Sequence, residues 1–214
     1  MLKEQNLSMI IKHSIESIYL YRKKIFKILF YEILYKCIYS KGNHTYVPPD
    51  NYPAAYYVIY KISKFINSKK ISGVVDLGCG SGRLTNFLSD KTEAKIYGYE
   101  INQDSYQIAN QNKNQDVTIV NKNIVDIDFD TLNAECFIFN GPLYKAEHRP
   151  DFEILINKIH KSMRKKKKKY YIIGINLDED KRHEAEDFNY VFHKKNLSKV
   201  VTAGPNKKIR FFEY

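Results

Sequence analysis

Apolar residues recur at three- and four-residue steps over the first forty residues of the chain. From about Asn6 to Ser40 no proline or glycine interrupts this repeat, and its polar side carries several lysines and one arginine. This spacing predicts an amphipathic helix. We expect residues 1–44 to form a helical extension that packs on the rest of the protein or on a second subunit. A basic helix lying in a membrane interface, as a peripheral contact, is the alternative.

A second pattern begins after a turn-rich break from Gly42 to Pro53. Helical spacing returns over Ala54–Asn67, and short apolar runs then alternate with longer amphipathic stretches. Repeated strand–helix–strand units predict a mainly parallel, doubly wound α/β sheet, which we assign to one domain over residues 45–214. The predicted strands are Gly73–Leu77, Lys95–Tyr99, Val117–Val120, Cys136–Phe139 and Tyr170–Ile175, and the predicted helices between them are Leu84–Leu88, Asp104–Gln111 and Asp151–Met163.

The last two apolar runs, Tyr190–His193 and Ile209–Tyr214, leave no room for crossover helices of their own. Parallel neighbours need such crossovers, whereas antiparallel strands do not. We therefore expect a C-terminal antiparallel strand pair that closes one edge of the sheet.

The composition is that of an ordinary soluble globular protein, with 43% hydrophobic and 28% charged residues in 214 positions. The three cysteines have neither disulfide-framework nor metal-site spacing, so we expect reduced thiols and no metal. No secretory signal is recognisable, and the most hydrophobic stretch, Ile25–Tyr39, is interrupted by charged residues. A cytoplasmic location is the expectation from these features.

The formal net charge of +11 favours anionic partners such as nucleic acid or an acidic membrane surface. The basic residues include an uninterrupted block, Arg164–Lys169, just before a predicted strand. Such a block is typical of a solvated helix end, where cations complement the helix dipole. A contact with nucleic acid or phospholipid is the functional alternative.

The strand predicted at Gly73–Leu77 runs into a loop with three alternating glycines, Gly78, Gly80 and Gly82, and the acidic residue Asp76 precedes them. Glycine is required where the chain turns sharply or where a ligand comes close to the backbone. A loop of this kind between a strand and a helix places a ligand at the carboxyl end of the strand, beside the helix N-terminus.

The spacing of the glycines distinguishes between classes of cofactor. Nicotinamide and flavin sites have G-x-G-x-x-G, whose third glycine would stand where this chain has Arg83. The segment Asp76–Gly82 instead resembles motif I of class I S-adenosylmethionine-dependent methyltransferases, D/E-x-G-x-G-x-G. The resemblance implies a Rossmann-like fold with S-adenosylmethionine as cofactor. It also implies that Gly78, Cys79 and Gly80 border the methionine moiety, and that Asp76 holds it through water or its amino group.

A second acidic residue follows where this family binds the ribose of its cofactor. Glu100 directly follows the strand predicted at Lys95–Tyr99, about 20 residues beyond the loop, and a carboxylate accepts hydrogen bonds from both ribose hydroxyls. The resemblance implies that Ile101 packs beside the adenine. After the next strand many members have an aspartate for the adenine amino group; here Asn123, followed by Ile124, offers an uncharged carbonyl oxygen.

The end of the fourth predicted strand faces the transferred methyl group in this fold. There the segment Asn140–Tyr144 (NGPLY) is similar to the N/D-P-P-Y/F motif of amino-methylating members, although glycine replaces the first proline and Leu143 displaces the aromatic residue. The resemblance implies that Asn140 and Tyr144 are catalytic and that Asn140 also borders the cofactor. A turn or capping role is the alternative for Asn140.

A closer likeness is to bacterial methyltransferase-like proteins without a firm substrate, which share a Tyr-x-Pro segment, here Tyr46–Pro48. Methyl transfer from a sulfonium is an in-line displacement that needs no metal or covalent intermediate. A general base is needed only for a protonated or weakly nucleophilic acceptor. Glu147 and His148 are candidates, with ordinary surface positions as the alternative.

The sequence therefore predicts S-adenosylmethionine-dependent methyl transfer to an unidentified acceptor, with a small molecule, a lipid or a protein favoured. Methylation of RNA or DNA is the alternative that the basic charge supports. An alternative of another class is an inactive, cofactor-binding scaffold that acts through its N-terminal helix.

Overall fold

The computed structural model describes residues 55–140, 149–176, 196–204 and 207–214. Four helices and seven strands account for most of these residues. In each element the apolar residues recur at helical or strand spacing, so that one side of the element can be buried. In chain order the elements are α1 (Ala55–Lys69), β1 (Gly73–Leu77), α2 (Arg83–Lys91), β2 (Lys95–Glu100), α3 (Gln103–Gln111), β3 (Val117–Asn121), a short 3₁₀ helix (Ile124–Asp126), β4 (Cys136–Asn140), α4 (Arg149–Lys166), β5 (Tyr171–Asn176), β6 (Leu197–Gly204) and β7 (Lys207–Glu213).

The seven strands form one sheet in the order β3-β2-β1-β4-β5-β7-β6. Strands β1 to β5 are parallel, and β7 is antiparallel to both β5 and β6. The chain moves from β1 outward to β3 and then returns to place β4 on the other side of β1. The carboxyl ends of β1 and β4 therefore form the switch point at which open α/β sheets bind their ligands. The predicted doubly wound sheet with a C-terminal antiparallel pair is confirmed.

One member of the antiparallel pair differs from the prediction. The partner of β7 is β6, at Leu197–Gly204, whereas the predicted run Tyr190–His193 lies outside the described residues. Strand β6 has little hydrophobic alternation, because Lys199 and Val200 are exposed and Val201 is buried. Its pairing with β7 also contains register shifts. Strand β6 is the outermost strand of the sheet, and its register shifts change which side chains face the core. Such a strand has no clear period-two pattern in its sequence.

The core has one layer on each face of the sheet. All five residues of β1 are buried, as is typical of a central parallel strand covered on both faces. Val74 packs in the layer under α1 and α2, and Val75 packs in the layer under α4. The Phe65 ring of α1 meets the ring of Tyr171 edge-on at 5.4 Å, which fixes α1 against β5.

Several predicted features lie outside the described residues: the N-terminal helical extension over 1–44, the Tyr46–Pro48 segment, and the side chains of Tyr144, Glu147 and His148. The boundary between the extension and the domain therefore stays a prediction. Within the part of the chain that the structure describes, no helix is both long enough and apolar enough to cross a membrane.

Candidate cofactor-binding site

All three glycines of the loop between β1 and α2 have left-handed backbone conformations. Their φ angles are 77° at Gly78, 55° at Gly80 and 80° at Gly82, a region that costs other residues about 1–2 kcal/mol each. A Cβ atom at Gly78 or Gly80 would meet no atom of the described residues within 4 Å, whereas one at Gly82 would lie 3.2 Å from the Cβ of Ala109. The first two glycines thus leave open space beside the backbone, and the third allows α2 to approach α3.

The loop is tied to the end of β2 by backbone and carboxylate hydrogen bonds. The amides of Gly78 and Cys79 both donate to the Tyr99 carbonyl at 2.9 Å. The amide of Gly80 donates to Glu100 Oε2 at 2.8 Å, and the amide of Asn102 donates to Glu100 Oε1 at 2.8 Å. The structure therefore brings the predicted ribose-binding acid against the glycine loop. Each carboxylate oxygen keeps capacity for one further hydrogen bond.

The Cys79 side chain packs into the core beneath the loop. A Cβ atom built at Gly98 would lie 2.8 Å from Cys79 Sγ and 2.8 Å from Ile119 Cδ1. Burial raises the pKa of the Cys79 thiol, and the carboxylates of Asp76 and Glu100 raise it further. The thiol is therefore protonated and inert, and only the backbone of Cys79 is placed to meet a ligand in the loop.

Asp76 lies at 1% exposure near the end of β1, beneath the glycine loop. Its Oδ2 accepts a hydrogen bond from the Thr85 hydroxyl of α2 at 2.9 Å, while Oδ1 is buried without a hydrogen-bond partner among the described residues. Burial raises the pKa of Asp76 to about 7; the Thr85 hydrogen bond opposes this rise and the charge of Glu100 adds to it. An unsatisfied buried acceptor costs about 1–3 kcal/mol, so Oδ1 is suited to a donor brought by a ligand.

Thr85 is a residue that the sequence reasoning missed. It follows Asp76 by nine positions and lies among the apolar residues of α2, where no motif marks it. The only available signal was chemical, since a hydroxyl on the buried face of a helix requires a hydrogen-bond partner.

The predicted adenine-side residues lie at the ends of β2 and β3. Ile101 directly follows Glu100 and is 64% exposed, which leaves a large apolar side chain free to cover a ring. Asn123 Oδ1 accepts from the Val125 amide at 3.2 Å and so caps the 3₁₀ helix, while retaining one acceptor position. Ile124 is buried in the layer under α4. Its side chain therefore serves the core, and its predicted contact with cofactor stays a prediction.

Asn140 ends β4 at the same edge of the sheet. Phe139 pairs with Leu77 of β1, so the backbone of Asn140 lies beside the strand end from which the glycine loop departs. On its other side Asn140 pairs with Ile175 of β5. This position agrees with a place next to the cofactor, whereas the catalytic roles of Asn140 and Tyr144 stay predictions.

The basic block Arg164–Lys169 lies at the amino ends of the parallel strands, opposite to the glycine loop. It closes α4 and leads into the amino end of β5, whereas the glycine loop follows the carboxyl end of β1. Part of its charge is matched locally, since Lys165 forms an ion pair with Asp130 at 2.6 Å and Lys169 forms one with Glu213. The length of the strands therefore separates the block from the glycine loop.

The strand order, the glycine loop at the switch point and the acid at the end of β2 are together typical of a nucleotide-binding α/β domain. Residues 74–166 match the family model described as "Methyltransferase domain". This match covers less than half of the chain. Over these residues the chain is similar to methyltransferase domains, and its fold agrees with that of the Rossmann-like methyltransferases.

Individual relatives are more distant. The ribosomal RNA small subunit methyltransferase A of Mesomycoplasma hyopneumoniae (strain 232) is 32% identical over 72 residues, which are 33% of this chain and 27% of that protein. The match thus spans little more than a quarter of that relative. The N-methyltransferase NodS from Bradyrhizobium japonicum WM9, solved with S-adenosyl-L-homocysteine, has a TM-score of 0.62 at 11% identity, over 86% of this chain and 98% of that chain.

A putative O-methyltransferase from Nostoc punctiforme PCC 73102 has a TM-score of 0.59 at 12% identity, over 76% of this chain and 57% of that chain. At such low identities these solved structures show a shared fold. They leave the acceptor of this chain to be determined from its own residues.

Proposed function

We propose that this protein binds S-adenosylmethionine at the Gly78–Gly82 loop and transfers its methyl group to an acceptor that is a small molecule, a lipid or a protein. One observation carries the proposal: Gly78 and Gly80 hold left-handed conformations with open space where side chains would be, and Glu100 is bonded to the same loop. A backbone without side chains beside a carboxylate is suited to a nucleoside with a charged amino-acid tail.

The residues present suit the parts of that cofactor. The spare acceptor capacity of Glu100 matches the two ribose hydroxyls, and the buried, unpartnered Oδ1 of Asp76 matches an ammonium donor. Exposed Ile101 matches the apolar face of adenine. When bound, S-adenosylmethionine supplies an already activated methyl group.

The remaining task of the chain is to align the acceptor and exclude water, and orientation of this kind contributes about 7–11 kcal/mol to lowering a barrier. We assign the acceptor side of the site to Asn140 and Tyr144, at and after the carboxyl end of β4. This assignment follows from the position of Asn140 beside β1 and from the family motif.

The first test is calorimetric binding of S-adenosyl-L-homocysteine to the wild type and to Glu100→Ala. We expect binding to weaken at least tenfold, roughly 1.4 kcal/mol, because the variant loses the ribose acceptors and the link to the Gly80 amide. Glu93→Ala is the matched control, since Glu93 is exposed between α2 and β2. Equal affinity in the two folded variants would reject Glu100 as the ribose acid.

The second test identifies the acceptor. The wild type is incubated with methyl-labelled S-adenosylmethionine and with separated small-molecule, lipid, protein and nucleic-acid fractions of a cell extract. Label in one of the first three fractions supports the proposal. Tight cofactor binding without transfer to any fraction would instead support an inactive scaffold.

RNA is the second candidate acceptor, and the distribution of charge favours it. Residues 149–176 contain nine lysines and arginines against two acidic residues, and one relative is described as a ribosomal RNA methyltransferase. Against it, the basic block lies away from the glycine loop and is partly paired. A steep fall of RNA affinity with rising salt concentration would support this candidate, whereas salt-independent binding would exclude a phosphate-dominated contact.

A further inference from the structure

The Thr85 side chain is completely buried at 0% exposure, although its hydroxyl is polar, and Asp76 beside it is 1% exposed. The Thr85 hydroxyl donates to Asp76 Oδ2 at 2.9 Å across the interface between α2 and β1. Because Oδ2 is used in this way, the carboxyl group presents Oδ1 as its remaining acceptor, and Oδ1 has no partner among the described residues.

We propose that Thr85 is a positioning residue for the cofactor: its hydroxyl fixes the Asp76 carboxylate so that Oδ1 receives the ammonium group of S-adenosylmethionine, and cofactor binding thereby releases a proton from Asp76 to the solvent. The inference rests on the proposed function, since it requires the cofactor in the glycine loop. It adds a residue that the family motif does not contain and a measurable proton linkage.

The surroundings of Asp76 explain the linkage. Among the described residues, Glu100 is the charged group that raises the pKa of Asp76, and the Cys79 thiol beside it is neutral. The residues paired with Asp76 in the neighbouring strands, Gly98 and Ile138, do not titrate. Asp76 is therefore partly protonated near neutral pH, because burial and a second carboxylate both disfavour its charge while one hydroxyl supports it.

Binding of an ammonium group favours the ionised carboxyl and drives its proton into the buffer. Without the Thr85 hydroxyl the pKa of Asp76 rises further, because that hydrogen bond is the contact that lowers it. Asp76 is then protonated in a larger fraction of the ligand-free protein. Binding of the cofactor at neutral pH therefore weakens, and it releases more protons per molecule bound.

The test compares Thr85→Val with the wild type by calorimetry of S-adenosylmethionine binding from pH 6 to pH 9, in buffers with different ionisation enthalpies. Because the variant loses a hydrogen bond to a charged carboxylate, we expect the affinity at pH 7 to fall about tenfold or more. The difference should narrow at high pH. Thr85→Ser, which restores the hydroxyl, should bind within roughly twofold of the wild type.

Thr92→Val, at the opposite end of the same helix, is the matched control. The Thr92 hydroxyl donates to the Leu88 carbonyl at 2.8 Å, so this variant loses a hydrogen bond of α2 at a distance from the loop. It should lower stability without changing affinity or proton release. A role of Thr85 in folding alone would give both threonine-to-valine variants this same behaviour, which would overturn the proposal.

Unchanged affinity of Thr85→Val across the pH range also overturns the inference, and so does a Thr85→Ser variant whose affinity does not recover. In both cases the proposed function stands if the wild type binds S-adenosylmethionine. Failure of the wild type to bind S-adenosylmethionine refutes the proposed function itself. Should Thr85→Val not fold, Asp76→Asn decides the matter: its binding must release no proton, and proton release equal to that of the wild type overturns the linkage.

Discussion

The loop glycines allow backbone strain to be separated from the space that a ligand needs. In Gly80→Ala the new residue keeps φ near 55°, which costs about 1–2 kcal/mol. Its methyl group meets no atom of the part of the chain that the structure describes within 4 Å, so we add no packing penalty there. The same methyl group occupies the open side of the loop, where we place the cofactor. We therefore expect a modest loss of stability and a loss of affinity of at least tenfold, roughly 1.4 kcal/mol.

Gly82→Ala is the matched control for this prediction. It carries the same kind of strain, with φ at 80°, but its methyl group would point at the Ala109 Cβ, 3.2 Å away between α2 and α3. The two variants should therefore rank in opposite orders for stability and for affinity. Gly82→Ala should lose more stability than Gly80→Ala, and Gly80→Ala should lose more affinity. Urea unfolding gives the first comparison and calorimetry with S-adenosyl-L-homocysteine gives the second. Wild-type affinity in a folded Gly80→Ala variant would refute the placement of the cofactor.

Two further predictions concern stability without ligand. The pKa of Asp76 is about 7 in the folded chain, whereas in the unfolded chain it returns to its ordinary value of 3.8. Between these two pH values the folded state therefore holds a proton that the unfolded state has lost. The free energy of unfolding should therefore fall by up to roughly 4 kcal/mol as pH rises through this window. Asp76→Asn should flatten that part of the profile, and an unchanged slope in denaturant titrations would contradict the assignment. Gly98→Ala places a methyl group 2.8 Å from both Cys79 Sγ and Ile119 Cδ1; we expect urea unfolding to show a loss of about 1–3 kcal/mol, and wild-type stability would show that the core yields there.

Local patterns in the sequence determined most of the fold. The five parallel strands and the four helices of the described chain follow from apolar spacing, with boundaries that differ from the predictions by a few residues at most. The glycine loop and Glu100 were also recognisable, because left-handed conformations require glycine and because an acid at the end of the second strand has a characteristic distance along the chain.

Other features depend on residues that are far apart in the sequence. The hydrogen bond from Thr85 to Asp76 joins a helix to a strand, and the ion pairs of the basic block join Lys165 to Asp130 and Lys169 to Glu213. No short-range pattern encodes such pairings. Only the assembled sheet places the basic block at the amino ends of the parallel strands and the glycine loop at their carboxyl ends.

The sequence by itself thus determined which elements form and which loop suits an adenosyl cofactor, since both depend on the conformational preferences of neighbouring residues. Only the tertiary structure decided that β6 pairs with β7, that Glu100 binds the Gly80 amide, and that Asp76 is buried with one oxygen left for a ligand. These outcomes depend on how the elements pack, because burial and hydrogen-bond partners are properties of the whole fold.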